Sequence, residues 1–315
     1  MCEGYITAVR KVQVFCLIAG FASSACCPCC AQAQLTERPQ QLVREVVYNE
    51  MRDHDAHGYW RYWIQRTVQN DTRLEEQVET ADGPVALLVQ TNGHPADTQT
   101  QDEERARLAH LLNSPREMAS HRQDYLHDEK HAALIMELLP DVFVFEYAGQ
   151  ENGCHHLRFR PNPAYVPHTI EARIAHAMAG DLWIDARMKR LSHLEGRMDE
   201  SVDFGFGLLG HLDKGGWFRV RRVQVSPSEW KTQKLEIHLS GRAVLFKTIA
   251  RDTNELRGGF EAVPAGLNLA QGMRILEETD PINVPESMAR IAPISVTTRH
   301  SKSMQKSHSS PTATR

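Results

Sequence analysis

Beyond residue 30 this sequence has a single cysteine, Cys154. The other six of its seven, Cys2, Cys16, Cys26, Cys27, Cys29 and Cys30, are crowded ahead of it. One thiol cannot close a disulfide within the chain, and tetrahedral zinc usually draws paired cysteines from two separated segments. Neither device is available to the chain beyond the cluster. A membrane-spanning run is missing too. Val12–Ala22 is apolar over about eleven residues, whereas a spanning helix needs about twenty. Positive charge is not in surplus: 36 Lys and Arg stand against 40 Asp and Glu, a formal charge of -4, which argues against a dedicated nucleic-acid binder. There is no G-x-S-x-G, no P-loop and no kinase or EF-hand signature. With no catalytic signature and no implied cofactor, the sequence is read as non-enzymatic.

What is present begins with an export signal. Arg10 and Lys11 form a positive leader, Val12–Ala22 the apolar stretch, and Ala31-Gln32-Ala33 an A-x-A cleavage pattern. Cleavage after Ala33 places the mature protein in the periplasm or outside the cell. The minor alternative is a lipoprotein acylated at Cys26, although the usual Leu three positions upstream is absent. Cys154, beside His155 and His156, is read as a half-buried strand residue in preference to a nucleophile.

The mature chain reads as one domain, residues 34–291, followed by a Ser/Thr-rich tail, 292–315, whose polar, acid-free composition predicts disorder. Leu42, Val43, Val46, Val47 and Met51 recur at helical spacing. Strands are predicted around Tyr59–Ile64, Arg73–Thr80 and Val85–Thr91, with Asp82-Gly83 as the turn. Residues 100–139 are a charged helical insertion broken at Ser114-Pro115. Phe143–Tyr147 and His155–Arg160 make a hairpin that Pro161-Asn162-Pro163 ends. A short helix from Thr169 is expected to stop at Gly180, and strands then continue to about Arg251. Along Trp217–Val225 the alternation slips at Arg221-Arg222, which predicts a bulge. The fold class is α+β: a large antiparallel sheet of about 9–11 strands with helices inserted between its strand blocks.

Two motifs invite chemistry. Gly205–Gly210 matches G-x-G-x-x-G, but a turn-prone stretch comes after it where a dinucleotide site needs a helix, so a structural role is favoured. His127 and His131, at i and i+4, could chelate zinc, but their surroundings read as a solvated helical face. Trp60, Trp63, Phe143, Phe145, Leu157, Phe159, Trp183, Trp217, Phe218 and Phe246 are the candidates for the wall of an apolar concavity. Core and cavity wall use the same side chains, so the alternative is a packed envelope protein with no ligand.

Several runs resemble a group of uncharacterised exported bacterial proteins. They are Phe159–Pro167 (F-R-P-N-P-A-Y-V-P), Met178–Asp185 (M-A-G-D-L-W-I-D), Phe204–Gly210 with Lys214-Gly215-Gly216 after it, and Asn92-Gly93. That group is similar to the outer-membrane lipoprotein carrier and receptor superfamily (LolA/LolB-like). The resemblance covers most of residues 40–251. It implies a curved sheet forming an open or half barrel, with helices over its concave face and an apolar interior, a lipid or acylated protein as partner, and peripheral envelope association. The helical insertion and the basic tail depart from the compact carrier, and no functional residue is carried over.

Overall fold

The computed structural model describes residues 37–55, 58–68, 71–204, 210–243 and 247–278, together with Val284 and Met288. The export signal, the tail, most of Gly205–Gly210 and Phe246 lie outside the described residues. Among those described are five helices and thirteen strands. In chain order they are α1 (Pro39–Asp55), β1 (Tyr59–Val68), β2 (Asp71–Val78), β3 (Val85–Thr91), β4 (His94–Pro95), α2 (Thr98–Asn113), α3 (Pro115–Val142), β5 (Phe143–Glu151), β6 (Cys154–Pro161), α4 (Ile170–His176), β7 (Met178–Asp185), β8 (Leu191–Met198), β9 (Val202–Phe204), β10 (Gly210–Leu212), β11 (Trp217–Gln224), β12 (Trp230–Ala243), β13 (Lys247–Val263) and α5 (Leu269–Glu277). None of the described helices is long and apolar enough to cross a membrane.

All of these strands join one antiparallel sheet in the order β4-β3-β2-β1-β13-β12-β11-β8-β7-β6-β5, with β9 and β10 hanging from β12. Among the described residues the end strands β4 and β5 do not pair with each other, so the sheet is not closed, as the resemblance implied. The strand number exceeds the expected range because β4, β9 and β10 are two or three residues long, below what periodicity can register. The register shift at Arg221/Arg222 is present. Gly180, expected as a helix stop, instead lies inside β7. A Cβ there would sit 2.0 Å from the Glu195 carbonyl oxygen of β8, so the close strand approach explains the glycine.

Helices cover the sheet on two sides of its length. The α1 stripe, Leu42, Val43, Val46 and Val47, packs on Phe143, Phe145, Leu157, Phe159, Leu182, Ile184 and Leu191 of β5–β8. Leu157 and Ile184 are 0 % exposed, and each such side chain contributes about 1.5–3 kcal/mol by leaving water. α5 packs through Leu269, Met273 and Leu276 on Val78 and Val85. The long helix α3 begins where Ser114 caps it, its hydroxyl accepting from the Glu117 N–H at 3.3 Å, with Pro115 in the first turn. It ends where Asn162, of the strand-ending P-N-P run, donates to the Asp141 carbonyl at 2.9 Å (side chain) and to the Val142 carbonyl at 2.9 Å (backbone). That strand-breaking motif therefore also caps α3. At the other side of the sheet the turn at Gly83 meets α3. Gly83 has φ +105°, and a Cβ there would lie 3.0 Å from Tyr125 Cβ, so only glycine fits without strain.

Candidate functional site

The α1 stripe does not end with Val47. One turn further on, Glu50 stays on the same face and is buried. Its carboxylate accepts from Arg190 Nε and Nη2 at 3.1 and 2.8 Å and from the Leu191 N–H at 2.9 Å. Arg222 Nη1 lies 2.5 Å away. Burial alone would raise the pKa of Glu50, but Arg222 and Arg190 outweigh it and hold the carboxyl below its ordinary value of 4.5. Arg222 comes from the bulge between β11 and β12. The apparent slip in alternation thus supplies the cation that meets α1.

Beyond this cluster the covered face of the sheet is polar. Burial pushes the Tyr62 phenol up, and its oxygen accepts from Gln77 Nε2. Glu255 accepts from Arg257 Nη2 and Arg66 Nε at 2.8 and 3.1 Å, and Arg66 also pairs with Glu75. Burial works against the Glu255 carboxylate, but Arg257 and Arg66 keep it below the ordinary value. Lys231 Nζ is 2.9 Å from both oxygens of Glu79. Glu229 accepts from the Gly58 N–H at 2.6 Å and from Trp60 Nε1 at 3.3 Å.

Between this floor and α3 lies a cleft of about 510 Å³. Its helical wall is one stripe of α3 at i, i+3 and i+4 spacing: Tyr125, Asp128, Glu129, Ala132, Ala133 and Met136. The stripe is polar at one end and apolar at the other. Tyr125, half-buried and near Glu129, has its phenol pushed up to about 12, first by burial. At the apolar end Met136 and Met51 also pack on the core beneath α1. Three buried nitrogens on residues that line the cleft make no hydrogen bond among the described residues: Arg222 Nη1, which is nevertheless ion-paired with Glu50, and Trp230 Nε1 and Arg257 Nε.

No family model and no curated protein matches this chain. Among solved structures, a DUF1329 family protein from Desulfovibrio piger is similar over 74 % of this chain and 97 % of that one. The two share 10 % identity, with a TM-score of 0.27. At that distance the fold rests on the strand order and packing given above.

None of the described aromatic and aliphatic candidates lines this cleft. Phe143, Phe145, Leu157 and Phe159 are brought together, but beneath α1, where the space left among them is about 10 Å³. Phe159, Trp217 and Phe218 border a separate, more open cleft of about 600 Å³ around Gly180 and Gly196, whose rim is Arg158, Arg160, Arg197 and Arg219. Trp60 joins Tyr62 and Ile64 in a small cluster, and Trp63 packs with Leu74, Val89 and Met288. Trp183 is stacked between His156 and His193, with ring centroids 4.4 and 4.5 Å apart.

The secondary candidates are also placed. Burial raises the Cys154 thiol, the opposite of what a nucleophile needs. His127 and His131 have ring centroids 4.3 Å apart, and Glu171 lies 3.7 Å from His131. Among the described residues no group of three or more His, Cys, Asp and Glu is arranged to hold a metal. Gly210 opens a strand where a dinucleotide site needs a helix. Sequence reasoning missed Glu50, Arg190, Arg222, Arg257 and Trp230. A usable signal existed for Glu50, which sits on the apolar stripe of α1, three residues after Val47.

Proposed function

We propose that this is an exported, non-enzymatic protein that binds an amphipathic ligand, a lipid or the acyl chain of a modified protein, in the cleft between α3 and the sheet. One observation carries the reading. The cleft joins an apolar end, formed by Ala132, Ala133, Met136 and Met51, to a floor rich in buried polar and charged groups. Its volume lies within the range of small-molecule sites, about 300–1,000 Å³. The protein acts in the cell envelope, with peripheral association, and the likeness of its motifs to a group of uncharacterised exported proteins agrees with that setting.

Organic extraction of the purified mature protein, with mass spectrometry of the extract, is expected to release an amphiphile. Ala133→Trp, which fills the cleft from its helical wall, is expected to reduce the yield at least tenfold while the protein stays folded. A protein that releases nothing and binds no fluorescent fatty-acid probe overturns the reading. A second reading, a packed envelope protein that docks partners without a ligand, draws on the near-complete filling of the β5–β8 side by α1. Co-purification of a protein partner with no bound amphiphile would favour it.

A further inference from the structure

The hydrogen-bonding capacity around the cleft is unequal. On the floor of the cleft the carboxylates are occupied by protein donors: Glu50 by Arg190, Arg222 and the Leu191 N–H, Glu79 by Lys231, and Glu229 by the Gly58 N–H and Trp60, while Asp128 and Glu129 stand across from them on the α3 wall. The donors are not used up. A guanidinium offers five N–H groups and an indole one, and none of them can accept. Arg257 makes a hydrogen bond through Nη2 to Glu255 while its Nε has no acceptor, and the Trp230 indole N–H has none either. The Trp230 backbone is tied to the same region, since its carbonyl accepts from Arg222 Nη2 at 2.8 Å. A buried donor without an acceptor destabilises the fold, and the cost is greater when the donor is charged.

A cationic head group would bring only further donors to such a floor, and a hydroxyl head both donates and accepts, whereas an oxyanion only accepts. We infer that the occupant of the cleft is a single-chain amphiphile with an oxyanion head, carboxylate or phosphate, received by Arg257 and Trp230. Its chain runs along Ala132, Ala133 and Met136 toward Met51. This rests on the amphiphile-binding reading above and specifies its chemistry. Trp230 and Arg257 both border the cleft, but the two nitrogens themselves are buried, so engagement requires these side chains to turn toward the occupant. An oxyanion accepting from a guanidinium makes the charge-assisted kind of hydrogen bond, roughly twice as strong as a neutral one.

The test is calorimetric titration of the full mature protein, delipidated, with dodecanoate, dodecyl phosphate and dodecanol, which differ only in the head. Both anions are expected to bind at least tenfold more tightly than the alcohol, and their order separates carboxylate from phosphate as the preferred head. Trp230→Phe and Arg257→Lys, each verified as folded by thermal unfolding, are expected to weaken the anions about tenfold and leave dodecanol unchanged. Arg257→Lys keeps the charge beside Glu255 but removes Nε. If dodecanol binds as tightly as the anions, or if both variants bind anions like the parent, the oxyanion assignment falls while the amphiphile reading stands. Equal weakening of all three ligands by the variants overturns the assignment as well, since it marks a purely structural role. If none of the three binds, both readings fall.

Discussion

The two halves of the sheet's helix-covered face obey the same pleat and end up with opposite chemistry. Across β5–β8, inward positions read Phe143, Leu157, Leu182 and Ile184, and α1 closes over them with almost no space left. Across β11–β13 and β1–β2, inward groups include Arg222, Arg257, Glu255, Tyr62 and Gln77. There the helix above, α3, stands off and leaves a cleft. Apolar surfaces close on one another without further conditions, whereas a buried charge must be met by a partner, as Glu50 is by Arg190 and Arg222. α1 crosses the boundary itself: its stripe is aliphatic up to Val47 and ionic at Glu50. The same helix therefore holds the molecule together on one side and delimits a site on the other.

Mutations that separate the halves should differ first in size. Phe159→Ala in the apolar half is expected to cost about 3–5 kcal/mol. The readout is the shift in denaturant midpoint, and a loss below about 1 kcal/mol would mean the space beneath α1 is not a packed core. Glu50→Gln leaves Arg190 and Arg222 without their shared carboxylate. Removing one partner of a buried pair costs about 3–5 kcal/mol, and amphiphile binding should fall with it, whereas in any Phe159→Ala protein that remains folded binding should persist.

The halves should also part on acidification. Glu50 and Glu255 are held below the ordinary 4.5 in the folded protein. Their contribution is therefore complete above that value and is lost as pH falls through the lower folded values. Melting temperature tracked from pH 7 to pH 3 should drop below about pH 4.5, and the drop should be shallower in Glu50→Gln. An identical slope in parent and variant would remove Glu50 from the account. His155 and His193, which burial holds below the ordinary 6.5, add a milder loss that begins at higher pH.

The smallest effect concerns what holds α3 over the cleft. Ser114→Ala removes its cap, at an expected cost of about 1 kcal/mol. Hydrogen exchange should quicken in the first turns of α3 and leave α1 untouched. Equal protection in both proteins would show that the Gly83 turn and the Asn162 cap suffice to position the helix.

Much of this was legible in the residues. The α1 stripe, the Ser114-Pro115 break, the Asp82-Gly83 turn, the strand-ending prolines and the step at Arg221-Arg222 are local signals, each acting within a few positions, and they marked elements the structure contains. The α5 helix went unread although Asn268 and Gln271 form a reciprocal capping box at its start. β13 was expected to end near Arg251 and runs to Val263, because Arg257 and Glu255, which look like surface charges, face each other on the covered side.

The amino-acid sequence by itself determined the class of fold: many antiparallel strands in sequence, with a stretch of helix inserted among them. Only the tertiary structure decided which face held what. The aromatic residues that suggested a cavity wall became packed core, stacked rings or the border of a different cleft. Charged residues distant in sequence, Glu50, Arg190 and Arg222, converged to border the cleft beneath α3. The physical reason is that periodicity reports which side of a strand or helix a residue occupies. What stands opposite that side depends on contacts 140 or more residues away, such as Glu50 with Arg190.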